Sequence, residues 1–379
     1  MYLPEHKPVE VEAWLTRLGQ PSADRDYRPG HQRMRELIQP LAIRRPKLRI
    51  RIAGTNGKGS TAFMLSAALQ ACGLRVGLYT SPHIRHFNER IRINGTPVSD
   101  TILHALMQHV MPAALKAGAS YFEAATALAL KCFSDSQVDV EILEAGVGAR
   151  LDATTAVDAD MALITPIGLD HQNWLGDTIE SVAAEKAYVA EGCSMVLSAA
   201  QSDVVMPILK QRAPELDVIE PDESLSLSMP GNHQFQNAAL ALHAAKRLIE
   251  EGLVDGSMDR LKQAIKSTVV PGRLQKVHYD EATIWLDAAH NRHAVEALLP
   301  TLKGLNLDAV FIFTREDRSL ADSLPLFASV ARRIITDADY PNVAEALQQE
   351  LALSPDGTFL VLGSFITVAA ALEWLGRNY

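Results

Sequence analysis

The chain of 379 residues is poor in cysteine: Cys72, Cys132 and Cys193 lie far apart and form no CxxC pair. That spacing offers neither a disulfide framework nor a cysteine zinc site, and it fits a reducing compartment. Apolar runs long enough to span a bilayer are absent, and the opening MYLPEHKPVEVEAWL lacks the basic-then-apolar pattern of an export signal. There is no excess of positive charge; a formal net charge of −9 argues against non-specific nucleic-acid binding. Internal repeats and low-complexity tracts are missing too. The expectation is a soluble, cytoplasmic, monomeric protein with no membrane or nucleic-acid partner.

What is present is a glycine-rich turn. Residues 51–61 read RIAGTNGKGST, a short apolar run entering a turn, with a lysine and hydroxyls behind it. Backbone free of side chains lets several N–H groups point at one anion, so such turns hold phosphates. Gly54, Thr55, Asn56, Gly57, Lys58, Gly59, Ser60 and Thr61 form a phosphate-loop variant, with Gly59 inserted between lysine and serine. Lys58 would neutralise the transferring group, and Ser60 or Thr61 would face a metal.

Three further apolar runs end in conspicuous loops: RVGLYTSPH, VDVEILEAGVGARLD and MALITPIGLDH. Helix-patterned stretches separate them, which predicts α/β architecture with a mostly parallel sheet covered on both faces. Ligands gather at the carboxyl ends of such strands, so Lys58, Ser81, Glu144 and His171 can converge. Alone, Glu144 suits a turn carboxylate and His171 a structural histidine; their coincidence with Ser81 favours magnesium, which takes oxygen ligands. The basic cluster Arg44, Arg45, Lys47, Arg49 and Arg51 alternates with Leu48, Ile50 and Ile52, as on a strand with one solvated face. DTIESVAAEKAYVAEG predicts a helix opened by Asp177 and Glu180, with Lys186 on its apolar face. That lysine either snorkels outward or needs a partner or loss of charge.

Pro271 and Gly272 mark a domain boundary, dividing the chain into 1–271, an ATP-binding part, and 272–379, a smaller Rossmann-like α/β domain. In the latter, DAAH puts Asp287 and His290 after a buried strand, either as a capped turn or as groups reaching a ligand.

In order along the chain, AGTNGKGST, GLYTSPHIRHFNERIRING, YFEAATALA, LEAGVGARLDAT, ITPIGLDHQNWLGDTIESVAAEKA, PGNHQFQNAALAL, PGRLQ and LDAAHN resemble the folylpolyglutamate synthase/dihydrofolate synthase family of the Mur-ligase superfamily. The resemblance implies ATP-dependent joining of glutamate to a carboxylate, such as dihydropteroate or a folate, through an acyl phosphate. By the same resemblance the loop Thr55–Ser60, Asn237, Arg273 and Asp287 contact ATP. Ser81, Glu144 and His171 hold magnesium at two sites, and a carbamylated Lys186 joins them. Lys58, His171, Lys186, Asp287 and His290 are the expected catalytic set. Tyr121, Phe122, Glu123, Arg150, Leu151, Asp152 and Ala153 are expected to bind the acceptor. The other readings are a paralogue ligating an amino acid to a non-folate carboxylate, and a nucleotide-binding protein without ligase activity.

The sequence departs from the family pattern on the acceptor side. SADRDYRPGHQRM replaces an N-terminal pterin segment, GVGAR replaces GLGGR, and LDATT ends in Thr155. EKAYVAE carries Tyr188 and Glu191, AHNR carries Arg292, and TREDRS stands at 314–319.

Overall fold

The computed structural model describes residues 9–18, 31–314 and 320–376. Most of SADRDYRPGHQRM and of TREDRS therefore lies outside the described residues. The chain groups into two compact units, Met1–Asp222 with Gln236–Ile265, and Glu223–Phe235 with Lys266–Tyr379. The short segment 223–235 is tied to the later residues by Ser228 N–H to the Lys266 carbonyl at 2.9 Å and by Val270 N–H to Met229 Sδ at 3.2 Å.

Among the described residues the first unit holds an eight-stranded sheet. Its strands are β1 (Leu48–Ala53), β2 (Val76–Tyr79), β3 (Ile91–Ile93), β4 (Thr96–Pro97), β5 (Val140–Glu144), β6 (Met161–Ile164), β7 (Met195–Ala199) and β8 (Asp217–Ile219). The order is β4-β3-β2-β5-β1-β6-β7-β8, parallel from β2 to β8. Asn94 and Gly95, both at positive φ, turn β3 into β4, as the Asn-Gly pair of a tight hairpin requires. The four runs singled out in the sequence are β2, β5, β1 and β6, side by side. Their loops leave one edge together, and the chain departs in opposite directions after the neighbours β1 and β6. Ligand crevices form at such a point.

The central strand corrects one expectation. All six residues of β1 are buried, and Arg49 and Arg51 are only 4% and 3% exposed. Arg49 Nε donates to Glu141 Oε2 at 2.6 Å across the β1–β5 pairing, and Arg51 donates to the Thr155 carbonyl at 3.5 Å. The alternation is real, but it separates an apolar buried face from an ion-paired buried one, because helices and loops cover both sides of a parallel sheet. Burial pushes the Glu141 carboxyl above its ordinary value even with Arg49 beside it.

The second unit carries β9 (Gln275–Tyr279), β10 (Ala282–Leu286), β11 (Leu307–Ile312), β12 (Ala331–Thr336) and β13 (Thr358–Leu362) in the order β12-β11-β13-β10-β9. Only β9 runs antiparallel. Phe311, Phe327, Phe359 and Leu360 are fully buried there. The α/β class with a large, mostly parallel sheet and a second, smaller sheet thus holds.

Candidate active site

The loop after β1 is built on two glycines. Gly54 has φ +148° and Gly57 φ +87°. A Cβ on Gly54 would lie 2.0 Å from Thr165 Oγ1, and one on Gly57 2.2 Å from Asn237 Oδ1, so neither position has room for a side chain. Gly57 then caps the helix Lys58–Ala71. The first N–H groups of a helix lack acceptors within it, which makes the Lys58–Ser60 turn the anion-facing part of the loop. The loop's earlier N–H groups are already used: those of Thr55 and Asn56 go to the Pro166 carbonyl at 3.0 and 3.4 Å. Thr55 Oγ1 exchanges hydrogen bonds with Gly168 at 2.8 and 3.0 Å. Thr55 and Asn56 thereby tie this loop to the loop after β6.

Two lysines meet at this loop. Lys58 Nζ donates to the Gly54 and Thr55 carbonyls at 3.3 and 3.2 Å, and Lys186 Nζ donates to the Gly54 carbonyl at 2.8 Å. Lys186 is 2% exposed, so of the two sequence alternatives the inward one is realised. Burial, followed by the charge of Lys58, lowers its pKa to about 7, against the opposing pull of Asp170 and Asp152. Its helix, Ile179–Ala187, is capped by Thr178, whose hydroxyl accepts from Ser181 N–H at 3.2 Å. The expected cap at Asp177 is displaced by one residue, since a Thr-capped start satisfies the same orphan donor.

Beside the lysines, the Ser81 N–H donates to Glu144 Oε2 at 3.1 Å, and a Cβ on Gly59 would stand 3.7 Å from that same oxygen. Glu144 is buried at the end of β5, opposite Ile52 of β1. His171 follows β6 at φ +52°, its N–H bound to Asp170 Oδ1 at 2.9 Å. Among the described residues no three His, Cys, Asp or Glu side chains gather as a metal cage. A buried carboxylate beside a glycine-rich loop is the kind of oxygen ligand that magnesium takes.

The expected acceptor residues divide. Phe122 faces the loop after β5: a Cβ on Gly146 would be 2.6 Å from its Cζ. Tyr121, next in sequence, points elsewhere, packing edge-on against Phe87 with the Arg90 guanidinium 5.5 Å from its ring centroid. Two acids are committed to structure. Asp152 accepts from the N–H groups of Gly146, Val147 and Thr154 and from the Thr154 hydroxyl. Glu123 closes the capping box with Ser120 and pairs with Arg33 Nε at 2.8 Å. Both are buried, Glu123 at 6% and Asp152 at 2% exposure. Leu151 is partly exposed and Ala153 is buried beside Asp152. Arg150 Nε pairs with Glu185 at 2.6 Å and stands 5.9 Å from the Tyr188 ring, whose centroid also lies 3.6 Å from Arg212. Asp170, Arg33 and Arg212 were not singled out in the sequence, because their partners His171 N–H, Glu123 and Glu191 are evident only in the fold.

In the second unit, Asp287 is buried after β10 and accepts from Leu274 and Ala289 N–H groups, each at 2.8 Å. The helix that follows is capped by Asn291, so Asp287 is neither its cap nor an open carboxylate. His290 Nδ1 lies 2.8 Å from the Ala288 carbonyl, and Arg273 donates to the Gly272 carbonyl at 3.3 Å.

No family model matches the chain. It is 36% identical over 312 residues to the dihydrofolate synthase/folylpolyglutamate synthase of Bacillus subtilis, a match covering 73% of this chain and 72% of the relative. The Escherichia coli protein of the same name is 32% identical over 361 residues, covering 85% of each. A solved "FPGS-AMPPCP-folate complex" superposes with a TM-score of 0.86 at 26% identity, covering 98% of this chain and all of the other. Fold, phosphate loop and relatives together define an ATP-dependent carbon–nitrogen ligase. The chain belongs to the dihydrofolate synthase/folylpolyglutamate synthase family.

Proposed function

We propose that the chain uses ATP to join glutamate to a folate-type carboxylate, dihydropteroate or a folate, through an acyl phosphate. The observation that carries this reading is the convergence of Lys58 and Lys186 on the Gly54 carbonyl, beside the Glu144–Ser81 pair. The 1–271 part supplies the ATP loop; Asn237, Arg273 and Asp287 contact ATP, and Asp287 and His290 belong to the catalytic set. The protein works as a cytoplasmic monomer on small molecules; among the described residues no helix is long and apolar enough to cross a membrane.

The γ-phosphoryl group passes to a carboxylate oxygen of the acceptor and ADP leaves. The glutamate amine then attacks the acyl carbon; the C–N bond forms, the C–O bond to phosphate breaks, and the amine loses its proton. Lys58 follows the transferring charge from its resting place on the loop carbonyls. Ser81, Glu144, His171 and Lys186 would hold magnesium, which would supply charge neutralisation for the phosphate oxygens. Lys186 takes part as a carbamate: its neutral amine bonds to carbon dioxide and releases a proton, turning a buried cation into an oxygen ligand. The lowered pKa supports this, because burial favours the neutral amine that carbon dioxide requires. Phe122 and the loop 146–153 line the acceptor side.

A second reading, ligation to a non-folate carboxylate, is favoured by Tyr188 and Glu191. These residues foreign to the family pattern stack on and pair with Arg212, and Tyr188 also flanks Arg150. ATP turnover measured with dihydropteroate, tetrahydrofolate and unrelated small carboxylates, each with and without glutamate, separates the two. Glutamate-dependent turnover with pteroate compounds is the expected result; turnover with unrelated acids alone overturns it. Oxygen-18 placed in the acceptor carboxylate should appear in the released phosphate if the acyl phosphate forms.

A further inference from the structure

Asp287 fixes the backbone on both sides of the β9–β10 pair, accepting from the Leu274 and Ala289 N–H groups. The Arg273 and His290 side chains share a different support. The Arg273 guanidinium carbon lies 5.0 Å from the centroid of the Phe365 ring, and the His290 ring lies 6.4 Å from it at 48°. Phe365 opens the helix Phe365–Trp374 directly after β13, in the VLGSF stretch that the catalytic assignment leaves unused. Its backbone is held firmly: Ser364 caps the helix, accepting from Thr367 N–H at 3.0 Å, and the Thr367 hydroxyl bonds the Phe313 carbonyl beyond β11. The aromatic ring is partly exposed, at the rim of a helix whose Val368, Ala371 and Leu372 are fully buried. A cation over an aromatic face is attracted by the ring quadrupole, and the attraction strengthens where water is displaced.

We propose that Phe365 is a positioning residue for ATP: its ring aligns Arg273 and His290, which come from opposite ends of the β9–β10 hairpin. The proposal rests on the reading of Arg273 as a nucleotide contact. Replacing the ring by Phe365→Leu should raise KM for ATP roughly 3- to 20-fold, the range a lost cation–π contact gives, with kcat within about twofold of wild type. Phe365→Tyr should behave as wild type, and Phe365→Met offers a second apolar variant should leucine lower Tm. Arg273→Ala should raise the same KM, and adding Phe365→Leu to it should raise KM by less than Phe365→Leu does alone, since the Arg273 part of the support is already gone and only the His290 part remains. An unchanged KM in a Phe365→Leu or Phe365→Met protein that melts like wild type, with Arg273→Ala still impaired, overturns the positioning role alone. An unchanged KM in Arg273→Ala overturns the nucleotide reading beneath it as well.

Discussion

Lys58 and Lys186 place their amines on one acceptor, the Gly54 carbonyl, at 3.3 and 2.8 Å. Burial, and after it the charge of Lys58, lowers the pKa of Lys186 to about 7. That pairing organises the predictions for the phosphate loop.

Lys186 sets a pH dependence of stability. Its folded pKa of about 7 lies below the 10.5 of the free side chain, so between these values the unfolded chain binds the extra proton. Stability of the metal-free protein should therefore rise as pH increases from about 7 toward 10.5. Denaturant unfolding of Lys186→Met, similar in volume and uncharged, should lose that part of the slope; an identical slope in both proteins would refute the burial argument. In assays Lys186→Ala should be inactive and partly rescued by a short added carboxylate, while Lys186→Arg stays inactive. A bare amine found by mass spectrometry and bicarbonate labelling in the active, nucleotide-bound enzyme would rule out the carbamate.

Lys58→Ala removes charge at the transferring phosphate and no core volume. Turnover should fall by at least about 100-fold, on the scale of losing one preorganised electrostatic group, while Tm changes little. ATP hydrolysis near the wild-type rate would take Lys58 out of the reaction.

Glu144→Gln keeps an oxygen able to accept from Ser81 N–H but loses the anionic ligand. The magnesium concentration for half-maximal activity should rise about tenfold or more, with kcat recovering at high magnesium. A superimposable magnesium titration would make Glu144 a structural brace for the Ser81 loop.

Gly57→Ala forces a Cβ into φ +87° and to 2.2 Å from Asn237 Oδ1. The left-handed conformation alone costs roughly 1–2 kcal/mol, and the clash adds to it. Thermal unfolding should show the loss, and Asn237→Ala in the same chain should recover the clash portion of it. No recovery would mean that backbone strain alone governs the position.

The four loops were readable because each follows a short apolar run, and a parallel sheet sends such runs out at one edge. Burial of Arg49 and Arg51 was not readable, since a period of two fits a half-exposed strand and a strand with two differently lined buried faces equally well. Strand β9, QKVHY, escaped notice because its one well-buried residue, Val277, leaves no apolar run. The segment 223–235 joins partners such as Lys266 and Thr301, which local pattern cannot announce. Glu123, Asp152 and Asp287 are named in the sequence by resemblance to family motifs, and in the fold all three also accept backbone N–H groups. The backbone N–H groups that occupy them leave no trace in the sequence.

The Arg49–Glu141 pair has a consequence for how the strands find their places. It sits between β1 and β5, the strands that carry the glycine loop and Glu144 at their ends. Sliding β5 by one residue would bring Val140 or Ile142 opposite Arg49 and strand a guanidinium in an apolar layer. An unpaired buried charge is far costlier than a lost apolar contact, so the pair acts as an alignment key. Folding thereby fixes the relative height of Gly54 and Glu144 before any nucleotide arrives, and a change as far from the reaction as Glu141→Leu would be expected to blur it.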